Sequence, residues 1–275
     1  MKIHPMPVYK NYMRRNLFPP FYVAHFFIPS LHILYKMKIA LIGYGKMGKT
    51  IEQVAIKRGH EIVLKISSAN KQYTDAAHLK LADAAIEFTR PESARENVLK
   101  CLEAGINVVC GTTGWNETVE DACQFAINHN AAFLHASNFS VGVNIFFEVN
   151  KLLASLMNSQ PEYSVAIEET HHTQKKDAPS GTAITLADQI LSNISRLKSW
   201  GLNNADNSEI LPITAHRIEN VPGTHKISYT SAIDTIDIIH TAHNRDGFAL
   251  GAVLAAEYIA GKKGIFTMKD VLGIK

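Results

Sequence analysis

A glycine-rich turn between an apolar strand and a helix constrains this chain more than any other feature. Residues 38–43 read KIALIG, a continuous apolar run of strand length, and GYGKMG follows at 43–48. The segment KTIEQVAIKRG then places apolar residues at helical spacing and ends at Gly59, a typical helix stop. A strand, a G-x-G-x-x-G turn and a helix in this order predict the opening βαβ unit of a dinucleotide-binding domain.

The three glycines of this turn are expected to have different physical roles. Gly43 permits a tight turn, Gly45 lets the backbone approach a pyrophosphate, and Gly48 lets the helix pack closely on the strand. Backbone amides at the start of the helix then hold the phosphates. The alternative is a purely structural turn in another α/β domain, because glycines can reach this spacing by chance. The flanking strand and helix favour a dinucleotide.

The alternation of strands and helices continues as far as residue 138. Strands that alternate with helices form parallel sheets covered on both faces, so the predicted fold class is α/β with a Rossmann-type doubly wound parallel sheet. Further strands are predicted at HEIVLKIS (60–67), AAIEFT (84–89), NVVCGTTG (107–114) and AAFLHAS (131–137), and helices at 91–105 and 117–129.

Beyond residue 139 the pattern changes to that of a second, α+β domain. EYSVAIEETHH (162–172) and KISYTSAIDTIDIIHTAH (226–243) alternate with period two and are rich in β-branched residues. This pattern is typical of an open sheet with one solvated face. Helices are predicted at GTAITLADQILSNI (181–194) and GFALGAVLAAEYIAGKKG (247–264). The second domain is therefore predicted to contain an open mixed sheet.

These patterns divide the chain into two domains and an extension. We expect residues 37–138 and 244–275 to form the dinucleotide-binding domain, with residues 139–243 forming a substrate-binding domain. Residues 1–36 are apolar and basic, as in a signal sequence or membrane anchor, but prolines, histidines and the lack of a small-residue cleavage site argue against that interpretation. We expect instead that translation begins at Met37 or that the segment is a disordered leader.

The net charge and the cysteines indicate which binding partners and which cellular compartment to expect. The formal net charge is +3. Residues 1–36 hold 5 of the 28 basic residues and no acid, so the rest of the chain has 23 basic and 25 acidic residues. We therefore expect neither a nucleic acid partner nor membrane contact for the folded body. Cys101, Cys110 and Cys123 lack metal or redox spacing, and they predict buried residues in a reducing compartment such as the cytoplasm.

The end of the second strand bears on the choice between NADPH and NADH. A carboxylate there would bind the ribose diol and favour NAD, but the chain reads KISSAN at 65–70 and has no acid. Ser67 and Ser68 could bind a 2′-phosphate, and Lys65 or Lys71 could add positive charge. The same residues could equally be ordinary loop residues. NADPH is slightly favoured, and both cofactors remain open.

The segment EETHHTQKKDAPSGTA, residues 168–183, has the features of a carboxylate-binding site. Ser180 lies near the start of a predicted helix, where the amides of Gly181 and Thr182 are free to donate hydrogen bonds. Gly181 also allows a ligand to approach closely. The positive end of the helix would attract an anion.

The residues just before this helix could move protons. His171 and His172 are near-neutral acid–base groups, and Lys175 or Lys176 supplies a cation. Such a group suits a substrate with more than one carboxylate, reduced with concurrent protonation. Structural histidines, solvated lysines and a metal-binding histidine pair are the alternatives. No metal is expected, because no acid or cysteine is suitably spaced.

This segment resembles the signature of the dihydrodipicolinate reductase family. The family pattern is Glu-x-His-His-x-x-Lys-x-Asp-Ala-Pro-Ser-Gly-Thr-Ala, and here Glu169, His171, His172, Lys175 and DAPSGTA (177–183) match it. The resemblance covers Met37 to Lys275 in order. It continues through GYGKMG, FTRPE (88–92), GTTG (111–114), SNFSVGVN (137–144), VPGTH (221–225) and NRDGFALGA (244–252).

The resemblance implies an NAD(P)H-dependent reductase of 4-hydroxy-tetrahydrodipicolinate, in the diaminopimelate route to lysine. It implies that His171 donates or accepts a proton, that Lys175 donates a second one, and that His172, Gly181 and Thr182, beside Ser180, hold the substrate carboxylates. It also implies a homotetramer assembled through the sheet of the second domain. The cofactor-binding residues it implies are Gly43, Tyr44, Gly45, Lys46, Met47, Gly48, Gly111, Thr112, Thr113, Ala136, Ser137, Asn138 and Phe139.

The chain departs from the family pattern at three places, and two other functions compete. Serine replaces the acid after the second strand, Glu87 replaces the usual aspartate before FTRPE, and residues 1–36 have no counterpart.

Another nicotinamide enzyme, such as a semialdehyde dehydrogenase, would need a catalytic cysteine, for which Cys110 is the candidate. An NAD(P)H-sensing module would bind the cofactor tightly without turnover.

Overall fold

The predicted alternation of strands and helices is present in the computed structural model, which describes residues 36–203 and 207–274. The predictions for residues 1–35 lie outside these ranges. The first part of the chain contains β1 (Lys38–Ile42), α1 (Lys46–Lys57), β2 (Glu61–Ile66), α2 (Ala76–Leu79), β3 (Ala84–Glu87), α3 (Pro91–Glu103), β4 (Asn107–Cys110), α4 (Val119–Asn128) and β5 (Ala132–His135). The rest contains α5 (Val141–Met157), β6 (Ser164–His171), α6 (Gly181–Asn193), β7 (Ser199–Leu202), β8 (Ile210–Arg217), β9 (Gly223–Thr230), β10 (Thr235–Ala242), α7 (Asp246–Ile259), β11 (Gly264–Phe266) and α8 (Met268–Leu272).

The first sheet is parallel and covered on both faces. Its six strands lie in the order β11-β5-β4-β3-β1-β2, and every pair runs parallel. Successive residues of β1 point to opposite faces: Ile39 and Leu41 pack in a core with α1 and α7, and Ala40 and Ile42 pack in a core with α3 and α4. The prediction of a Rossmann-type doubly wound sheet is confirmed.

The second sheet is mixed and has five strands in the order β10-β9-β6-β8-β7. Its strands β6, β8 and β7 run parallel to one another, whereas β9 runs antiparallel to both β6 and β10. Alternate residues of β6 are buried, and these pack with α5 and α6 in a third core. The predicted open mixed sheet is confirmed, and the chain returns from it to the first sheet through α7 and β11.

Several elements were absent from the predictions. Helix α5 is the largest of these, with 17 residues capped by Ser140, whose hydroxyl oxygen accepts a hydrogen bond from the amide of Val143. Strand β8 contains Pro212, a residue that argues against a strand in a sequence pattern. Strands β7 and β11 have only four and three residues, which is too short for a periodic signal. The residue boundaries proposed for the two domains stay a prediction.

The described part of the chain has no helix that combines the length and the apolar character needed to cross a bilayer.

Candidate active site

The turn after β1 has the shape expected of a dinucleotide cradle. Gly43 has φ +101°, and a Cβ there would lie 2.0 Å from the carbonyl oxygen of Phe88. A Cβ on Gly48 would lie 2.5 Å from the carbonyl oxygen of Gly43. Both positions therefore require glycine for packing alone. These two contacts hold α1 tightly against the end of the sheet.

Gly45 differs from its neighbours because its surroundings are open. A Cβ added there would meet no atom within 4 Å, and Gly45 caps α1 without any side-chain hydrogen bond. The first amides of α1, those of Lys46, Met47 and Gly48, point out of the helix start and have no partner within it. An open backbone surface next to a helix start fits the diphosphate of a dinucleotide.

The other predicted cofactor residues follow β4 and β5, which are neighbours in the sheet. Gly111 packs against the ring of Phe88, where a Cβ would lie 2.2 Å from a ring carbon. Thr112 and Phe139 are buried against protein atoms, so their side chains are not free to reach a ligand. Ala136 continues the β5 backbone, with its amide bonded to the Cys110 carbonyl. The predicted residues that line the large cavity described below are Thr113, Ser137 and Asn138.

A carboxylate does lie near the second strand, but on α1. Glu52 is paired with the ammonium group of Lys65 at 2.5 Å and accepts a hydrogen bond from the Tyr44 hydroxyl. Lys65 is therefore engaged by an acid. The loop after β2 is closed by Asn70, whose side-chain oxygen accepts from the Ser67 amide at 2.7 Å and whose amide group donates to the Lys65 carbonyl at 2.8 Å.

The predicted proton-carrying and carboxylate-binding residues meet in a single cavity of about 790 Å³. His171 is the last residue of β6, and α6 begins ten residues later at Gly181. The connecting loop brings both ends to the same space. One wall of the cavity is formed by His171, His172, Lys175, Ser180, Gly181 and Thr182. The cavity is also lined by three residues from the segments that follow β4 and β5, namely Thr113, Ser137 and Asn138.

The start of α6 is open toward this cavity. The Ser180 hydroxyl oxygen accepts from the Ala183 amide at 3.2 Å, so the helix is capped at its first turn. The amides of Gly181 and Thr182 precede that bond and stay available to a ligand. A Cβ on Gly181 would meet nothing within 4 Å. The side-chain amide of Asn138 lies 3.4 Å from the Thr182 hydroxyl and links this helix to the first sheet.

The two lysines of the loop differ in their partners. Lys175 donates hydrogen bonds to both carboxylate oxygens of Asp177, at 2.9 and 2.7 Å. Burial raises the pKa of Asp177, but the hydrogen bonds from Lys175 outweigh burial and lower that pKa overall. Lys176 is exposed, and it forms no ion pair with any residue in the described ranges. Both lysines line the cavity.

A buried polar cluster behind the cavity was not predicted. Glu169 is fully buried, and its Oε1 accepts from the Ser180 amide at 3.1 Å and from Arg217 Nη2 at 3.1 Å. Burial raises the pKa of Glu169, but hydrogen bonds from His171, Ser180 and Arg217 together lower it to about 2. His225 lies 3.1 Å from the Ser180 hydroxyl, and its pKa is lowered to about 4, first by burial and then by the charge of His171.

This cluster corrects one sequence argument. The sequence argument found no acid suitably spaced for a metal site with the histidines, yet ligand atoms of Glu169, His171 and His225 all lie within 4.8 Å of one another. Glu169 and His171 share one face of β6 because they are two residues apart, and His225 lies opposite Glu169 on β9. Only the strand pairing could have revealed this group. The absence of a metal stays a prediction.

Cys110 does not have the properties of a nucleophile. It is fully buried at the end of β4, and its thiol donates a hydrogen bond to Glu87 at 3.0 Å. Burial, followed by the charge of Glu87, raises the pKa of the thiol far above its usual range. Catalytic cysteines require the thiolate form and access to substrate. The semialdehyde dehydrogenase alternative therefore lacks its key residue.

Comparisons with known proteins cover almost all of the described chain. The sequence profile for the N-terminus of dihydrodipicolinate reductase matches residues 37–139, and the profile for its C-terminus matches residues 142–272. A 4-hydroxy-tetrahydrodipicolinate reductase of Christiangramia forsetii is 53% identical over 236 residues, which is 86% of this chain and 98% of the relative. One from Neisseria meningitidis is 33% identical over 81% of this chain and 84% of its own length.

Solved structures share the fold. A dipicolinate-bound dihydrodipicolinate reductase from Paenisporosarcina sp. TG-14 has a TM-score of 0.70 at 21% identity and covers 86% of this chain and 98% of its own. An amine dehydrogenase from Mycobacterium smegmatis has a TM-score of 0.55 at 10% identity and covers 85% of this chain and 95% of its own. At these identities the likeness establishes the fold alone.

The glycine-rich turn, the polar cavity and the matched reductase relatives define an NAD(P)H-dependent oxidoreductase. The matches along both parts of the chain are more specific. The chain belongs to the dihydrodipicolinate reductase family. The resemblance stated from the sequence motifs is confirmed.

Proposed function

We propose that this protein reduces 4-hydroxy-tetrahydrodipicolinate to tetrahydrodipicolinate in the diaminopimelate route to lysine. The reaction consumes NADPH or NADH and one proton, and it releases the oxidised cofactor and water. One observation carries the proposal: the predicted proton carriers and the start of α6 share a cavity with the strand ends of a dinucleotide-binding sheet. A cyclic dicarboxylate in that cavity would contact residues from both parts of the chain.

The start of α6 is proposed to bind one substrate carboxylate. The amides of Gly181 and Thr182 are free, the Thr182 hydroxyl is close by, and the helix dipole favours an anion. His172, which lines the same cavity, would bind the ring or the second carboxylate. Binding both carboxylates would hold the ring in one orientation within the cavity. This reduces the entropy lost on reaching the reactive geometry.

His171 and Lys175 are proposed to move the protons. His171 is only 8% exposed at the inner end of the cavity, so bulk water competes little for its proton. Lys175 donates two hydrogen bonds to Asp177 at the cavity, and it could donate a proton to the ring or to the departing hydroxyl. Lys176 lacks such a partner in the described chain, which supports the choice of Lys175.

The cofactor, when bound, supplies the hydride. The turn from Gly43 to Gly48 and the first amides of α1 would hold its diphosphate, since the open space at Gly45 fits a close approach. Thr113, Ser137 and Asn138 would lie on the side that faces the substrate. Gly111, Thr112, Ala136 and Phe139 would shape this surface through their backbone.

NADPH is proposed as the slightly preferred cofactor, with NADH also accepted. Residues 65–70 at the end of β2 contain no acid, and Glu52 is already paired with Lys65 and Tyr44, so neither place offers a free carboxylate to select the ribose diol. Ser67, Ser68 and Lys71 are the candidates for contact with a 2′-phosphate. Lys65 is a weaker candidate than the sequence suggested, because Glu52 neutralises it.

A homotetramer formed through the second sheet is also proposed. Strand β10 is an edge strand, and Ile236 and Ile239 on it are 39% and 57% exposed. An apolar groove between α5 and β10 lies beside them, and α5 adds an exposed apolar stripe that includes Leu152 and Leu156. Edge strands and apolar patches of this kind are usually covered by a partner.

The remaining proposals concern the arrangement of the chain and its location. We propose residues 37–138 and 244–275 as the dinucleotide-binding domain and residues 139–243 as the substrate-binding and oligomerisation domain. We also propose a cytoplasmic location, which is supported by three free cysteines, two of them buried. Its expected partners are the dicarboxylate substrate and copies of itself, not nucleic acid or a membrane.

A coupled assay tests the proposed activity. The preceding synthase would generate the substrate in situ from pyruvate and aspartate semialdehyde, and oxidation of NADPH or NADH would be followed by absorbance. Oxidation that depends on both the synthase and this protein would support the function, and the ratio of the two rates would give the cofactor preference. Tight NADPH binding without any oxidation would contradict the proposal and favour a sensing module.

A further inference from the structure

We infer that Glu169 is a positioning residue, whose buried carboxylate orients the His171 imidazole and ties it to the carboxylate-binding start of α6. The inference rests on the proposed function and deepens it. Glu169 is fully buried and does not line the cavity, so it can influence the reaction only through the groups that it contacts.

The first contact is with His171. Residues two apart on a strand point to the same face, so β6 places the two side chains together. Glu169 Oε2 lies 3.3 Å from His171 Nδ1. Both atoms are buried, and neither forms a hydrogen bond within the described chain, so their contact is an ion-pair approach. Because an unpaired buried polar atom is costly, each of these two facing atoms favours pairing with the other.

This contact determines which ring nitrogen serves the reaction. A proton on Nδ1 is stabilised by the carboxylate, which leaves Nε2 to exchange protons on the other side of the ring. Nε2 lies beside Gly223, where a Cβ would be only 3.0 Å away, and both residues line the cavity. Glu169 therefore sets both the orientation and the tautomer of His171.

The second contact is with the substrate-binding loop. Glu169 Oε1 accepts from the amide of Ser180, the residue that caps α6, and from Arg217. Arg217 in turn donates to the carbonyl oxygens of Asp177 at 2.6 Å and Lys175 at 3.3 Å. One carboxylate thus anchors the end of β6, the loop that carries Lys175, and the start of α6.

The charge balance around this pair predicts a pH signature. The titratable or charged groups that face it are Arg217 from β8, His225 from β9, and Lys175 and Asp177 from the loop, with His240 of β10 acting on His225. Replacing Glu169 by glutamine would remove the negative charge that faces His171 Nδ1 and leave Asp177 as the one acid among these groups. The pH dependence of turnover should therefore change.

The experiment compares Glu169→Gln with Glu168→Gln. Glu168 is adjacent on β6, is exposed and points to the opposite face, so it is a matched control. We expect Glu169→Gln to lower kcat on the order of 100-fold by misorienting the imidazole, with little change in the KM for NADPH. Its pH profile should differ from that of the unchanged protein. Glu168→Gln should match the unchanged protein in kcat and pH profile.

Binding and folding measurements keep the test independent of turnover. Affinity for pyridine-2,6-dicarboxylate, measured by calorimetry, should fall in Glu169→Gln because the Ser180 amide loses its charged anchor. Glu169→Asp keeps the negative charge, but its shorter side chain places the carboxylate oxygens farther from His171 and Ser180. This variant should therefore recover the pH profile without recovering kcat. If Glu169→Gln fails to fold, this second variant carries the test.

The outcomes separate this inference from the proposed function. If the unchanged protein shows no turnover, the proposed function fails first. If the unchanged protein is active and Glu169→Gln is equally active with the same pH profile, the positioning role is wrong. A loss of kcat with an unmoved pH profile and unchanged dicarboxylate binding would indicate a merely structural role and would also overturn the inference.

Discussion

The ammonium group of Lys175 is held between both carboxylate oxygens of Asp177, 2.9 Å from Oδ1 and 2.7 Å from Oδ2. The pair lies in the loop between β6 and α6, at the cavity that also receives the start of α6. An anionic substrate that enters the cavity adds a second partner for the same ammonium group. Lys175 is therefore positioned to contact an anion in the cavity.

Replacing Lys175 by alanine should reduce turnover severely. General acid catalysis typically contributes roughly 10²–10⁴-fold, and no second cation in the described loop has the same carboxylate partner, so a loss of that size is expected. Lys176→Ala is the matched control, since it removes an adjacent exposed lysine and should leave turnover close to normal. The measurement is kcat and KM in the synthase-coupled assay. Equal losses in the two variants would refute the assignment.

Much of the fold was predictable because its elements repeat a simple pattern. The inner strands of the first sheet, β1, β3, β4 and β5, are short, mostly apolar and buried, and glycine or proline marks several of the helix ends. Helix α5 was missed because its apolar residues extend around more than one face: Phe146 and Phe147 are buried, whereas Leu152 and Leu156 are exposed.

The candidate site was predictable where it lies within one segment. His171, Lys175 and Ser180 fall within ten positions, so a local pattern could indicate their chemistry. Arg217 and His225 come from β8 and β9, and only the pairing of those strands with β6 brings them to Glu169. No local signal predicts such pairing. Sequence reasoning thus found the residues at the cavity and named Glu169 in the family motif, but it assigned no role to Arg217 and His225.

Stability should depend on pH through His225. Burial, and then the charge of His171, lowers the pKa of His225 from 6.5 to about 4. The unfolded chain takes up a proton below pH 6.5, whereas the folded protein does so only below about pH 4. The contribution to stability is therefore complete above pH 6.5 and is lost as the pH falls toward 4.

Replacing His225 by glutamine should remove this dependence. The decline in the free energy of unfolding between about pH 7 and about pH 5 should shrink by about 2 kcal/mol. Denaturant unfolding at the two pH values measures the effect. His216→Gln, at an exposed position of β8, is the control and should retain the full decline. An equal decline in all three proteins would show that His225 is not the responsible group.

Gly45→Ala should separate cofactor binding from folding. A Cβ at Gly45 meets no protein atom within 4 Å, and φ −93° is accessible to alanine, so the thermal unfolding temperature should change little. The methyl group would occupy the space through which the diphosphate approaches, and we expect affinity for NADPH to fall by a factor on the order of 10–100. Fluorescence titration with NADPH measures the affinity.

Gly43→Ala is the informative comparison for Gly45→Ala. At Gly43 the added Cβ would lie 2.0 Å from a backbone oxygen and φ is +101°, so this variant should lose stability as well as binding. Normal NADPH affinity in a folded Gly45→Ala protein would contradict the proposed diphosphate site.

A charge placed on the exposed edge of the second sheet should disrupt the proposed tetramer. Ile239 is 57% exposed on β10 and borders the apolar groove next to α5, so an aspartate there would be forced into an apolar contact between subunits. We expect Ile239→Asp to shift the mass measured by light scattering toward dimers or monomers. Leu81→Asp is the matched control, because Leu81 is 56% exposed but lies beside the first sheet. A tetramer in both variants, or a monomer for the unchanged protein, would contradict assembly through this edge.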